Sequence, residues 1–498
     1  MRKQNFIEMK LYANILRMPH HIKFVKDIGL VGFAQILTNL RGIILIPILT
    51  KFLGAEQYGI WAQFSITLNF IVPLAILSLP NALIRFLPGT KSEKEIQEQV
   101  WSTNLFVLGI TLCLAILLII FARQLGGILQ IPHQLIFFLS ILVILQSLGF
   151  LLSSVLQALQ EAKKLSFYIV GVPLAEIIFI SLAVLLGFEL YGAILSLVIA
   201  RSITFFILLV AILQKIGFKR PNFSLLKEYL RFSVPMVATN LAYRVVQVGD
   251  HYLIGIMLGV LFVGYYAPAY SFAFMLNTIT LPIGLILPAL LARFFSENNT
   301  REIQRYLQET FKYTFFILIP AVFGLSILSK PILTIFTTPD IANHSSLVLP
   351  VAAASFLFFA AYGIFIQILY LFKKTTATGV MWIGAAALNV LLNLFFIPFW
   401  GIAGAAFATL LSYMALCLVA WIYSSRYLSF SLPWIPLCKS IAASVGMSFV
   451  LLILNPKSLL AMFFAIIAGV LLYGAFLYIL KAVGRKETEF LRQLWKTS

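Results

Sequence analysis

The sequence predicts an all-α polytopic membrane protein of about 14 transmembrane helices, built as two parallel six-helix repeats followed by two C-terminal helices. Composition is the first ground. Of 498 residues, 61% are hydrophobic and 11% charged, with a mean hydropathy of +1.00, whereas a water-soluble globule has about a quarter of its residues charged. The second ground is internal repetition. LPNALIRF at Leu79–Phe86 and LPALLARF at Leu287–Phe294 share L-P-x-x-L-x-R-F at an offset of 208. Gln157, Leu159, Lys163 and Lys164 recur as Gln367, Leu369, Lys373 and Lys374 at an offset of 210. A looser match opens each unit: Thr38, Asn39 and Leu40 recur as Thr239, Asn240 and Leu241, and Leu53, Gly54 and Gly59 as Leu258, Gly259 and Gly264. The matches keep one order and direction, and each half holds an even number of spans, so the halves share an orientation.

A hydrocarbon core of roughly 30 Å needs about twenty apolar residues per helix. Windows of that kind centre on Leu40, Ile71, Thr111, Val143, Phe179 and Phe205 in the first half, and on Val245, Leu276, Leu318, Phe358, Leu388 and Leu411 in the second. Val445 and Leu471 centre two spans outside the duplication. The expected organisation is a basic cytoplasmic segment at 1–26, a first lobe at 27–215, a cytoplasmic linker at 216–231, a second lobe at 232–425, the last two helices at 436–482 and a cytoplasmic tail at 483–498. No cleavable signal is expected at the N-terminus. With that end inside, 29 of the 36 basic residues face the cytoplasm; Lys51, Arg123, Lys330 and Lys457 fall outside, and three lie within spans. The asymmetry places both termini in the cytoplasm and the chain in the cell membrane.

The net charge of +19 is spread over the inner loops, where it meets anionic headgroups rather than nucleic acid. Cys113, Cys417 and Cys438 have no ligand or disulfide spacing, and no nucleotide loop or zinc motif occurs. Neither a metal nor a cofactor is expected, nor an enzyme, because no loop is long enough to fold alone.

Charges inside spans therefore carry the functional argument, each costing about 2.5–3.5 kcal/mol at a helix centre. Arg41 in helix 1 and Arg244 in helix 7 stand at similar depth in repeat-equivalent helices, roughly 20 and 18 Å from the inner ends at 1.5 Å per residue. Two guanidiniums facing one cavity make an anion site that keeps its charge. The alternative is that each snorkels or pairs with a carbonyl or an acid, although neither has an acid one turn away on its own helix. Glu176 and Arg201, on consecutive antiparallel helices, are within reach of each other as a structural ion pair or, alternatively, a coupling site for a proton or sodium ion. Asp250 and His251 fall near the outer end of helix 7, as a solvated cap ahead of Gly255 and Gly259 or as a gate or proton-linked pair. Tyr58, Trp61, Tyr252, Tyr265, Tyr266 and Tyr270 read as an interfacial aromatic belt. Prolines 73, 80, 235, 268, 282, 288, 320 and 350 lie in or at the ends of spans, where they permit bending.

Several of these stretches resemble a known family. RGIILIPILTKFLGAEQYGIW from Arg41 to Trp61 is similar to the opening signature of the polysaccharide transporter family, which includes the O-antigen and exopolysaccharide flippases. FSVP at Phe232–Pro235, GDHYLIGIMLG at Gly249–Gly259 and GYY at Gly264–Tyr266 resemble its seventh and eighth helices, and WGIAGAAFATLLSY at Trp400–Tyr413 its twelfth. The resemblance implies a member of the multidrug, oligosaccharidyl-lipid and polysaccharide exporter superfamily: two six-helix lobes about a cationic cleft that moves lipid-diphosphate-linked oligosaccharide from the inner to the outer leaflet. Arg41 matches a basic position at the head of the signature. Asp250 matches as well, but the family commonly has Arg where this chain has His251. The implied partners are the lipid-linked oligosaccharide, membrane lipids, and a polysaccharide polymerase and chain-length regulator. A multidrug or cation antiporter of the same superfamily is the first alternative, and a peptidoglycan-precursor flippase another.

Overall fold

A computed structural model describes residues 19–90 and 92–482. The first 18 residues of the basic segment and the expected tail at 483–498 lie outside them. Among the described residues the chain forms seventeen α-helices and no strand. In chain order they are α1 Pro19–Ala75, α2 Leu79–Phe86, α3 Glu93–Ile120, α4 Ala122–Leu129, α5 His133–Ala158, α6 Ala162–Leu185, α7 Glu189–Ile216, α8 Leu226–Met257, α9 Val260–Phe274, α10 Asn277–Ser296, α11 Thr300–Ile327, α12 Ser329–Phe336, α13 Pro339–Ser345, α14 Val348–Leu371, α15 Thr375–Ser425, α16 Trp434–Leu454 and α17 Leu459–Ile479.

Among the described residues ten helices are long and apolar enough to cross a membrane, against 14 expected spans, and the difference has local causes. The continuous helices α1 and α15 each carry two of the expected centres, bent at Gly54 (φ 75°) and Gly401 (φ 57°). Helix α8 has the length to span, but Asn240, Arg244, Gln247, Asp250 and His251 dilute its hydropathy. The eighth expected span is interrupted at Met275 and Leu276, leaving α9 and α10 as two shorter pieces.

The chain divides into two compact units. Unit 1 draws its described residues from Met1–Leu45, Thr67–Leu125 and Pro132–Val237, and unit 2 from Ile46–Ile66, Gly126–Ile131 and Ala238–Ser498. The repeated motif seats a core in each. In unit 1, Leu79 and Leu83 are wholly buried with Val100, Val107, Leu151 and Val155. In unit 2 their counterparts Leu287 and Leu291 are buried with Leu307, Ile364 and Tyr413. Leucines four residues apart lie on one helix face, so the two copies bury the same edge of α2 and α10.

The linker is part of unit 1. Tyr229 donates its hydroxyl to Gln99 at 2.8 Å, Trp101 donates its indole N–H to the Gly217 carbonyl at 2.9 Å, and Lys219 pairs with Glu98 at 2.5 Å. In unit 2, the segment at 329–345 folds as α12 and α13, held by bonds from Ser345 to the Tyr265 carbonyl at 2.6 Å and from Tyr265 to Asp340 at 2.9 Å. Helices α16 and α17 pack together, and α16 packs on α11. Tyr473 of α17 donates to the Phe316 carbonyl of α11 at 2.8 Å.

Unit 2 also contains a backbone-to-backbone crossing. A Cβ added at Gly59 would lie 2.1 Å from the Val260 carbonyl oxygen, and one added at Gly264 would lie 1.9 Å from that of Ala55. No side chain fits either position. These are the glycines paired by the repeat, so each half presents its own copy of one residue to the other. Around them, Lys51 donates to the Ile335 carbonyl at 2.7 Å and the Val260 N–H donates to Gln130 at 2.8 Å.

Candidate functional site

In unit 1 the charge cluster begins with a proline. Pro173 lies inside α6 and has no N–H, so it leaves the carbonyl four residues earlier, that of Ile169, without its helical donor. Thr38 of α1 supplies one, its hydroxyl donating to Ile169 at 3.3 Å. That bond fastens α1 to α6. One turn beyond Thr38 is Arg41, and two turns beyond Ile169 is Glu176. Arg41 pairs through Nη1 with Glu176 Oε2, while Arg201 of α7 brings its Nε to 2.5 Å from Glu176 Oε1. Glu176 is wholly buried, whereas the side chains of Arg41 and Arg201 keep 32% and 18% of their exposure.

The expected reach between Glu176 and Arg201 is thus present, and Arg41 joins it. The helix of Arg41 itself carries no acid one turn away; the acid comes from α6, 135 residues away. The sequence signal for this contact is Pro173, since a proline three residues before an intramembrane acid marks the place where a helix carbonyl needs an outside donor.

Arg244 belongs to unit 2. Its partners are neutral: Nη1 donates to Gln247 Oε1 at 3.2 Å, and the guanidinium lies 6.0 Å from the centre of the Tyr243 ring. Gln247 in turn donates to the Tyr243 hydroxyl at 3.1 Å. The charge of Arg244 is therefore oriented by polar side chains without being cancelled by them.

Two turns further along α8, Asp250 is wholly buried and His251 is 4% exposed. A solvated cap is excluded by that burial. The helix end is covered by α9 and α15, whose polar side chains the hydropathy windows averaged away. Asp250 Oδ1 accepts the backbone N–H of His251 at 2.9 Å and faces its Nδ1 at 2.7 Å. Oδ2 accepts the hydroxyls of Tyr266 at 2.5 Å and Thr409 at 3.4 Å. Asn389 donates to Thr409 at 3.4 Å, and Asn393 donates to the Asn389 carbonyl at 2.9 Å. His251 also meets the rings of Tyr266 and Tyr270 edge-on, at 4.9 and 5.3 Å.

Tyr266, Thr409, Asn389 and Asn393 were missed in the sequence. Tyr266 had been assigned to the aromatic belt, and that assignment is corrected: Tyr58, Trp61, Tyr265, Tyr266 and Tyr270 are all at most 9% exposed. The available signal was Asn389 and Asn393 one turn apart in an otherwise apolar stretch of α15, since unpartnered amides are costly there.

Residues 24–294 match the model of a family described as polysaccharide biosynthesis protein. The chain belongs to the polysaccharide biosynthesis protein family. A second model, MatE, matches residues 235–395 of this family member. Among curated proteins it resembles a probable low-salt glycan biosynthesis flippase of Haloferax volcanii, 23% identical over 456 residues that cover 88% of this chain and 92% of the relative. Among solved structures it resembles the lipid II flippase MurJ in an inward closed conformation, with a TM-score of 0.72 at 18% identity, covering 90% of this chain and 98% of that one. An inward-facing multidrug resistance MATE family transporter of the MOP superfamily aligns with a TM-score of 0.63 at 14% identity, covering 78% and 94%. The protein therefore has the fold of the multidrug, oligosaccharidyl-lipid and polysaccharide exporters and is a multi-pass membrane transporter of this biosynthetic family.

Proposed function

We propose that the protein is a flippase that carries a polyprenyl-diphosphate-linked oligosaccharide, the repeat unit of an O-antigen or exopolysaccharide, across the cell membrane by alternating access. The observation that carries the reading is uncompensated positive charge in both units. In unit 1 two guanidiniums share one buried carboxylate, and in unit 2 the partners of Arg244 among the described residues are neutral. Guanidinium holds its charge at membrane depth and binds phosphate oxygens in pairs. Diphosphate is the anionic part of the lipid carrier. The family assignment and the flippase named among the relatives support the same substrate class.

Charge and burial support the remaining roles. Arg41 in unit 1 and Arg244 in unit 2 each bind phosphate oxygens of the carrier. Asp250 and His251 form the ion-coupling or gating element, because a carboxylate enclosed within a span by an imidazole, a phenol and a hydroxyl is costly there and marks an ion pathway. Both termini are cytoplasmic, and a polysaccharide polymerase and a chain-length regulator act on the delivered product. An antiporter of organic cations needs exposed carboxylates, and Glu176 and Asp250 are both buried and already paired.

Depletion in the native host should trap one inward-facing polyprenyl-diphosphate oligosaccharide, seen by mass spectrometry of leaflet-resolved lipids, with loss of the matching surface polymer. The pair Arg41→Ala and Arg244→Ala should reproduce that loss while the protein still inserts. Normal surface glycan in the double variant would sink the assignment. Accumulation of the peptidoglycan precursor instead would redirect it to that lipid.

A further inference from the structure

The charges in unit 1 do not cancel. Glu176 offers one negative charge to two guanidiniums, Arg41 on Oε2 and Arg201 on Oε1. Because neither guanidinium gives up its proton, the cluster keeps one positive charge. Such a remainder is tolerated at membrane depth only where an anion or water reaches it.

The two arginines are not equivalent. Arg201 stands on α7, which packs along α6, and keeps 18% of its exposure. Arg41 keeps 32% and comes from α1, which is tied to α6 by the Thr38 hydroxyl. Glu176 and Arg201 form a neutral pair on two packed helices without help from Arg41. Arg41 is therefore the guanidinium that an incoming anion reaches first.

We propose that Glu176 is an internal counter-ion that competes with the substrate diphosphate for Arg41. On capture, Arg41 passes from Glu176 Oε2 to a phosphate oxygen, leaving Glu176 neutralised by Arg201. On release, Glu176 takes Arg41 back. Glu176 is thus a positioning residue that limits how tightly the carrier is held, as transport requires when a cargo must leave as readily as it arrives. The assignment rests on the diphosphate reading above.

Binding of farnesyl diphosphate to the purified full-length protein tests it, with farnesol as the uncharged control. Glu176→Gln frees Arg41, so the dissociation constant should fall about tenfold and dissociation should slow. Arg201→Gln leaves Arg41 as the sole partner of Glu176, so the constant should rise about tenfold. A cluster that merely holds helices together would move both variants in the same direction, and that result would overturn the proposal. Should Glu176→Gln fail to fold, the double variant Glu176→Gln, Arg201→Gln removes acid and anchor together. It should bind more tightly than Arg201→Gln alone, and equal weakness would also overturn the proposal. If the wild-type protein fails to prefer farnesyl diphosphate over farnesol, the diphosphate reading itself falls. Preference in the wild type with shifts of one sign defeats only the role of Glu176.

Discussion

Tyr266 shows how much a single hydroxyl carries in an apolar bundle. Its donation to Asp250 at 2.5 Å is one of four contacts that satisfy a wholly buried carboxylate. Tyr266→Phe removes only an oxygen and leaves the ring packing intact, so its cost isolates the hydrogen bond. We expect a loss of about 1.5–3 kcal/mol, the range for bonds to charged groups, read as a lower unfolding temperature in detergent. An unchanged temperature would mean that water replaces the phenol. Residues of this kind were only partly legible in the sequence. Arg41, Glu176, Arg201, Arg244, Asp250 and His251 stood out because ionisable groups are rare within spans. Tyr266, Thr409 and Asn389 did not, because a phenol, a hydroxyl or an amide is ordinary in a membrane helix until its neighbours are known.

The helices extend the same lesson to local geometry. The bond from Thr38 to Ile169 exists because Pro173 withdraws a donor from α6. The two positions should therefore be coupled. Thr38→Val should cost about 0.5–1.5 kcal/mol in the native background, within the range for polar contacts between membrane helices. In a Pro173→Ala background, where the helix supplies its own N–H, the same change should cost little; equal costs in a double-mutant cycle would show that the proline is irrelevant. The glycine crossing makes a harsher demand. An added methyl at Gly59 or Gly264 meets a backbone oxygen, which cannot rotate aside as a side chain can. Gly59→Ala and Gly264→Ala should each destabilise by about 1–3 kcal/mol, measured by thermal unfolding. Their effects should fall short of additive, since the first methyl already forces the segments apart. The sequence marked both glycines as repeat-equivalent, but an offset between matching residues does not reveal that the two copies touch.

At the scale of the whole molecule, the apolar windows and the repeat predicted the helices well. The expected centres fall on long helices except at Leu276, where α9 gives way to α10. Grouping was less legible. Ile46–Ile66 and Gly126–Ile131 come from the first half of the sequence but belong to unit 2, because compactness follows contacts rather than chain order. Orientation rests on charge alone, and it yields a separate prediction. In a cysteine-free background, a cysteine at Lys330 should react with an impermeant maleimide in intact cells, and one at Arg301 only after lysis. The reverse pattern would invert the topology.

The crossing of Gly59 with Gly264 bears on how such a chain can arise. Each half brings the same residue, by the same route, to the same contact. An interface of this self-matching kind needs one surface rather than two, as in a twofold dimer. A single six-helix unit bearing one such glycine can meet its own copy. Fusing two copies into one polypeptide therefore requires no second complementary surface, and the halves are free afterwards to diverge everywhere except where they meet.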